Sequence, residues 1–312
     1  MHSWTKKGLL VSPNSDYFWM SHGAGNCWAT ADGETIRLVI SGRDSENRSR
    51  LGQVWLKAST HEILKIEAEP LIELGEKGVF DYNGTAYPWV VQDGDKEFLY
   101  YTGWTRGAHV DFINDLGLAV RINNGQFKKV SRAGIFERTD AEPFGTGSVC
   151  VMKTANHWKM WYTTFVRWGV SDNDAKHYYH IRYAESADGL RWNRPGNICI
   201  DYIEAEGEYV TARPCVIAYK GLYLMWFSYR GPYYKIGFAV SKDGIQWNTH
   251  PILGLDISES GWDSEMVSYG LVLQRENQLE MYYTGNGFGR SGLGLATLPL
   301  EALDETLTQL GY

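Results

Sequence analysis

The sequence is short of the features that mark most functional classes. Its 312 residues hold four cysteines, Cys27, Cys150, Cys199 and Cys215, and no two of them form a CxxC pair. That is too few for a disulfide-stapled scaffold. No apolar run approaches the ~18 residues a membrane-spanning helix requires. The formal charge is −7 and no Lys/Arg cluster stands out, which excludes a phosphate-backbone binder. Neither nucleic acid nor a membrane is therefore an expected partner. Residues 1–11 contain Lys6 and Lys7 but neither an apolar core nor a small-residue cleavage site, so no secretory leader is expected and the expected location is cytoplasmic. No metal-ligand spacing is present and no cofactor is expected, although an axial channel in the fold argued below has room for a structural metal.

What is present is aromatic. Thirteen Trp and twenty Tyr accompany 34 Gly, a composition of short strands joined by tight turns. Exposed indole and phenol faces also suit stacking on sugar rings.

The strands recur. Five segments share one pattern: an apolar-aromatic strand ending in Ser or Thr, a polar loop, then an apolar strand. They are Ile36–Ser41 with Leu51–Val54, Phe98–Thr102 with Leu116–Ala119, and Lys159–Thr163 with Ile181–Ala184. Leu224–Ser228 with Ile236–Ala239 and Glu280–Thr284 with Leu293–Ala296 complete the set. The terminal hydroxyl residues Ser41, Thr102, Thr163, Ser228 and Thr284 are 61, 61, 65 and 56 positions apart. A period of that length, β-rich and without a helix between copies, predicts an all-β, five-bladed β-propeller with four-stranded antiparallel blades. The blades fall roughly at 21–66, 80–130, 140–200, 206–252 and 263–312 within one domain. Inner strands are expected at Asn26–Thr30, Tyr87–Val91, Ser148–Met152, Arg213–Ala218 and Tyr269–Leu273, with the cysteines as packing. Asp188-Gly189 and Asp243-Gly244 read as hairpin turns, with Trp192 and Trp247 packing between blades. The stretch Gly8–Val11 is a candidate to close the ring.

In such a blade, the approach to the inner strand and the loop between the second and third strands lie at one end. Polar residues at those places should converge. The approaches carry His22, Asn26, Asp81, Arg138, Asp140, Glu142, Glu204, Glu206, Glu208, Arg213, Asp263 and Glu265. The loops add Arg43, Asp44, Trp104, Arg106, His109, Arg167, Trp168, Arg230, Asn286 and Arg290. Paired carboxylates among arginines and aromatics are what cleavage of a glycosidic bond requires, one as proton donor and one as base or nucleophile. Separations of about 6.5–9.5 Å go with inversion and about 5–5.5 Å with retention. Asp140, Glu204 and Glu206 read as surface. His177, His180 and His250 read as structural or exposed, and Arg213 could equally be an ion-pair partner of a neighbouring blade.

From Ser21 to Ala296 the sequence resembles the five-bladed propeller glycosidases, a superfamily of arabinanases, xylosidases, invertases, levansucrases and mannoside phosphorylases. The resemblance rests on SADGLRW and SKDGIQW, on the strands YYT, MWYT and MWFS, and on WDSEM with YYTGNGFG. It implies an oligosaccharide or glycoside substrate and a catalytic set of Asp, Asp and Glu. Asp81, in VFDYNG, matches an Asp position, and Glu142 and Glu208 are the acid candidates. Blade one has His22, Gly25 and Asn26 where the hydrolases place their first Asp, with Asp44 as the substitute. The expectation is Asp81 as base or nucleophile and Glu208 as proton donor, with Glu142, Asp263 and Asp44 tuning or binding. His22, Asn26, Arg43, Trp104, Arg138, Trp168, Arg213, Arg230, Glu265 and Asn286 would hold substrate. In a phosphorylase variant, arginines with His22 or His109 would hold inorganic phosphate. The alternative is a sugar-binding propeller whose carboxylates are locked in ion pairs.

Overall fold

The structure is a computed structural model and describes residues 3–155, 157–169 and 176–312. Strands dominate, as the β-branched and aromatic content requires. Three antiparallel meanders each hold four strands in sequence order. The first runs β2 (Gly23–Asp32), β3 (Thr35–Arg43), β4 (Ser49–Lys57) and β5 (Ile63–Ile66). The second runs β6 (Gly84–Asp93), β7 (Lys96–Thr105), β8 (Ile113–Ile122) and β9 (Lys128–Lys129). The third runs β10 (Thr146–Lys153), β11 (Trp158–Trp168), β12 (His177–Ser186) and β13 (Ile198–Ile200). A fourth follows as β14 (Val210–Tyr219), β15 (Leu222–Arg230), β16 (Tyr234–Ser241) and β17 (Asn248–Leu255). The last group takes β18 (Ser268–Gln274), β19 (Gln278–Thr284) and β20 (Leu293–Pro299) from the C-terminal part of the chain. Its outer strand is β1 (Thr5–Val11), which pairs antiparallel with β20. The first strands of the five groups touch in a closed cycle, β2 to β6 to β10 to β14 to β18 and back to β2.

Each first strand is interrupted at the same level by a bulge opposite the second strand. The register slips at Gly25/Cys27, Ala86/Trp89, Thr146/Val149, Ala212/Cys215 and Ser268/Leu271. Pro88 and Pro214, which have no N–H for a ladder, lie inside two of these slips. Tyr87, Arg213 and Tyr269 adopt left-handed backbone there, with φ of 51°, 50° and 57°. A bulge leaves an N–H outside the ladder, and the neighbouring group supplies its acceptor. The hydroxyls that end the second strands do this in three places. Thr284 Oγ1 accepts the Asn26 N–H at 2.7 Å, Ser228 Oγ the Tyr269 N–H at 2.7 Å and Thr163 Oγ1 the Arg213 N–H at 3.3 Å. The Tyr87 N–H is taken instead by Asn26 Oδ1 at 3.0 Å. Thr163, Ser228 and Thr284 are thus pins between groups.

Other repeated residues serve the same joints. Glycine in the third strand makes room for a ring of the second: a Cβ at Gly117 would fall 2.3 Å from the Tyr101 ring, and one at Gly237 would fall 2.7 Å from Phe227. In each Asp-Gly turn the glycine carbonyl accepts a donor from the preceding group, Tyr100 OH to Gly189 at 2.6 Å and Trp161 Nε1 to Gly244 at 2.7 Å. Trp192 packs edge-on to Tyr100, and Trp247 to Trp161. The four cysteines are buried and free. Cys150 and Cys215 Sγ accept the Val216 and Val272 N–H groups of the next inner strand at 3.2 and 3.1 Å. Burial pushes the Cys27 thiol up to about 12, which keeps it an inert packing group.

The chain ends in a helix, Leu300–Gln309, which the strand pattern did not anticipate. It buries Ala302, Leu303 and Leu307 on one face, at helical spacing, and Tyr219 OH donates to Asp304 at 2.9 Å.

Ser228→Ala should leave the buried Tyr269 N–H without an acceptor and cost about 1–3 kcal/mol. Ser228→Thr, which keeps the hydroxyl, should cost much less. Urea unfolding midpoints of the two variants check this.

Candidate functional site

The bulges and the loops between second and third strands meet in one cavity of about 640 Å³. Asn26, Tyr87 and Tyr269, all at bulges, lie in its lining because the slipped register re-aims their side chains. Arg43, Asp111, Phe112, Lys176, Arg230 and Phe288 reach it from the ends and loops of the second and third strands, with His177 and Tyr179 from β12 and Tyr234 from β16. Tyr209, just before β14, completes an aromatic wall. The Tyr87 and Tyr269 rings meet edge-on at 5.2 Å. The Tyr179 and Tyr234 hydroxyls are hydrogen-bonded at 2.6 Å. Burial pushes Tyr234 up to about 12 and Tyr179 and Tyr269 well above the ordinary phenol value, so these hydroxyls stay protonated and none is a ready nucleophile.

The charges in this cavity are unequal. Among the described residues Asp111 is the one carboxylate in the lining, with Arg43, Arg230 and Lys176 as its cations. Arg43 and Arg230 have no ion pair among the described residues. Arg230 lies over the Tyr209 and Tyr234 rings at 5.3 and 5.1 Å, with its Nε buried and unpartnered. The Arg43 guanidinium sits 5.4 Å from the Trp104 ring centroid and donates to the Asn47 carbonyl at 2.9 Å. Burial, more than any neighbour, draws the Arg43 pKa down.

The carboxylates expected to do chemistry lie elsewhere, and three of them repeat one arrangement. Asp81, Glu142 and Asp263 each accept a hydrogen bond from the second-strand tyrosine 20 residues on: Tyr101 at 3.0 Å, Tyr162 at 2.8 Å and Tyr283 at 2.9 Å. Each also faces a cation from the outer part of its own group: Lys129 at 2.5 Å, Arg194 at 2.7 Å and Lys6 at 2.8 Å. All three carboxylates are buried. Asp44 is held by Arg50 at 2.9 Å and Arg48 at 3.3 Å. Burial works against the charge on Asp44 and Asp263. Hydrogen bonds from Arg50 and the Arg48 N–H at the first, and from Lys6, Ser258 and Tyr283 at the second, outweigh it and hold both below the usual carboxylate range.

Glu208 lines a separate groove of about 230 Å³ with Asp201, Tyr229 and His250. Burial raises its pKa, and it accepts the Ile203 N–H at 3.0 Å. Asp81 and Glu208 therefore share no cavity. Arg213 is fully buried and donates to the carbonyls of Cys27, Pro88 and Val149 at 2.7, 3.1 and 3.4 Å, reaching across three other inner strands. Among the described residues its charge has no carboxylate partner. Trp104 Nε1 donates to Ser49 Oγ at 2.7 Å behind Arg43. Trp168 stacks on Phe165 beside Phe112 and His177. Arg138 faces Asp115 at 3.3 Å. Asn286 Oδ1 accepts the N–H groups of Glu265 and Met266, tying a loop together, and the Glu265 side chain is exposed. His22 lines a neighbouring cavity beside Arg43. Among the described residues no three His, Cys, Asp or Glu side chains gather as a metal site.

Sequence reading missed Asp111, Phe112, Lys176, Tyr179, Tyr209, Tyr234 and Phe288 in the cavity lining, and read His177 as structural or exposed. Tyr87 and Tyr269 were placed on inner strands without a role. The prolines after Tyr87 and Arg213 were the available signal, since a proline inside a central strand marks a bulge.

No protein-family model matches the chain. The uncharacterized protein MT1551 of Mycobacterium tuberculosis strain CDC 1551 / Oshkosh is 34% identical over 299 residues, which is 95% of this chain and 99% of that protein. Rv1502 of strain ATCC 25618 / H37Rv is likewise 34% identical over 299 residues. Among solved structures, one named a glycoside hydrolase superposes with a TM-score of 0.76 at 16% identity, covering 94% of this chain and 91% of its own. One from work on the GH130 family of mannoside phosphorylases, described as containing glycoside hydrolases that target beta-1,2 mannosidic linkages in Candida mannan, gives 0.67 at 17%, covering 95% and 93%. A thermostable family-43 glycoside hydrolase gives 0.66 at 14%, covering 88% of each chain. At these identities the likeness is one of fold.

Two outcomes test the buried carboxylates. Lys129→Met, which strands the Asp81 charge, should destabilise by about 3–5 kcal/mol, more than Asp81→Asn, and denaturant midpoints compare them. Asp44 and Asp263, with folded pKa values below their unfolded ones, contribute stability that is present above the usual carboxylate range. That stability is lost as pH falls through the lowered values, and thermal midpoints below pH 4 should show it.

Proposed function

We propose that this chain, which belongs to the family of the mycobacterial proteins MT1551 and Rv1502, is a five-bladed propeller enzyme that breaks a glycosidic bond with inorganic phosphate. The observation that carries this is the cavity's charge: among the described residues one carboxylate, Asp111, against the unpaired Arg43 and Arg230. Hydrolysis by paired carboxylates needs a base or nucleophile beside the acid. Phosphorolysis needs the acid alone, because phosphate is itself the nucleophile and the protein's task is to hold its charge.

In this reading the aromatic wall of Tyr87, Tyr179, Tyr234 and Tyr269 holds the sugar ring, with their hydroxyls as hydrogen-bond partners. Arg43 and Arg230 hold phosphate beside the anomeric carbon. A phosphate oxygen forms the new bond to that carbon as the bond to the leaving oxygen breaks, and Asp111 gives its proton to the leaving oxygen. Asp81, Glu142 and Asp263 then join the second, third and fifth blades internally instead of reacting. The likeness of fold to glycoside hydrolases and to a structure from the mannoside phosphorylase family supports a glycoside-active protein.

The ion-paired Asp44, Asp81, Glu142 and Asp263 also favour a second reading, a sugar-binding propeller without catalysis. A screen of oligosaccharides and nitrophenyl glycosides, with and without phosphate, separates the two. The expected result is phosphate-dependent release that falls by about 10²–10⁴-fold in Asp111→Asn and is lost in Arg230→Ala. Release that ignores both phosphate and Asp111 would overturn the proposal. Sugar binding by calorimetry with no release would establish the second reading.

A further inference from the structure

A second cavity of about 770 Å³ adjoins the first and shares two of its walls, Arg43 and Phe288. Its other charge-bearing groups are His22 and Arg290, and among the described residues no carboxylate lines it. Arg43 and Arg290 repel one another, and neither has an ion pair among the described residues. Several other arginines are paired with carboxylates. Arg37 and Arg121 share Glu97, Arg50 has Asp44, and Arg194 has Glu142. Two like charges line one cavity here, with one Arg43 N–H group engaged by the Asn47 carbonyl.

The wall between the two cavities is also unusual. Phe288 is exposed, stacks on Tyr269 at 6.5 Å and meets Tyr234 edge-on at 5.8 Å. Its φ is 57°, between Gly287 at 63° and Gly289 at 96°. A bulky side chain in left-handed backbone is costly, and such strain gathers where a ligand is gripped. A substrate that reaches from the aromatic wall over Phe288 meets Arg43 and then Arg290.

We propose that the second cavity is an anion subsite, and that the substrate is a glycoside whose portion beyond the reacting sugar carries a carboxylate or a phosphate. The subsite rests on the reading of the first cavity as a sugar site. Guanidinium groups recognise either anion in the same way, through paired N–H donors and charge. His22 adds an imidazole at the rim.

The test is calorimetric titration of the whole chain with three sets of probes: neutral disaccharides, the corresponding aldobiouronic acids and disaccharide 6-phosphates. The expected result is that one charged set binds at least about tenfold tighter than the neutral set, and which set it is identifies carboxylate or phosphate. That advantage should shrink as salt rises. In Arg290→Ala, at an exposed position where the fold is not at stake, charged and neutral disaccharides should bind alike. Equal binding by the unaltered protein, or an advantage undiminished in Arg290→Ala, would overturn the subsite and leave the sugar site standing. No binding of any disaccharide would overturn both.

Discussion

The hydrogen bond from a bulged inner strand to the hydroxyl ending a neighbour's second strand is the constraint on which the rest of the structure depends. It fixes where each inner strand slips, and the slip decides which side chains leave the sheet. Thr163, Ser228 and Thr284 each accept such an N–H group. The residues whose N–H groups are held in this way, with Tyr87 held by Asn26, are those that turn toward the centre: Asn26, Arg213 and Tyr269. Asn26, Tyr87 and Tyr269 reach the cavity lining, while Arg213 plugs the ring below with bonds to three carbonyls.

A second constraint is electrostatic. A buried charge must be paired or heavily hydrogen-bonded. Asp81, Glu142 and Asp263 satisfy this through a tyrosine and a cation, at equal spacing in three groups. Such a triad links the approach to the inner strand, the second strand and the outer strand of one group, which is a reason for acidic residues to recur there without chemistry. Arg213 satisfies it with main-chain carbonyls. Arg43 and Arg230, which satisfy it least, and the exposed Arg290 gather around two adjoining cavities. The unbalanced charge is therefore concentrated where a ligand can enter, and cavities of this charge select anions.

Stability and recognition are thereby separated in space. The paired carboxylates are buried where loops approach the strands. The unpaired groups lie on loops and strand ends, where substitution changes binding before it changes folding. Phe288 stands at the boundary, held in a strained backbone by the ring contacts of Tyr234 and Tyr269.

The sequence by itself determined the repeat. Second-strand Ser or Thr, third-strand glycine and the Asp-Gly turn are local in nature and recur in several of the copies, so their spacing exposes the five groups. It also carried the cations of the site, because Arg43, Arg230 and Arg290 fall on predicted loops that the topology brings to one end. It did not distinguish Asp81, Glu142 and Asp263 from catalytic carboxylates. Their partners come from the outer strands, Lys129 and Lys6, or from the connection to one, Arg194, and a burial that depends on distant pairing leaves no local mark. Nor did it show that Tyr87 and Tyr269 face the cavity, since one slipped residue reverses the side a strand presents. Which charges are neutralised and which are left to meet a ligand is a property of distances between groups, and only the tertiary structure decided it.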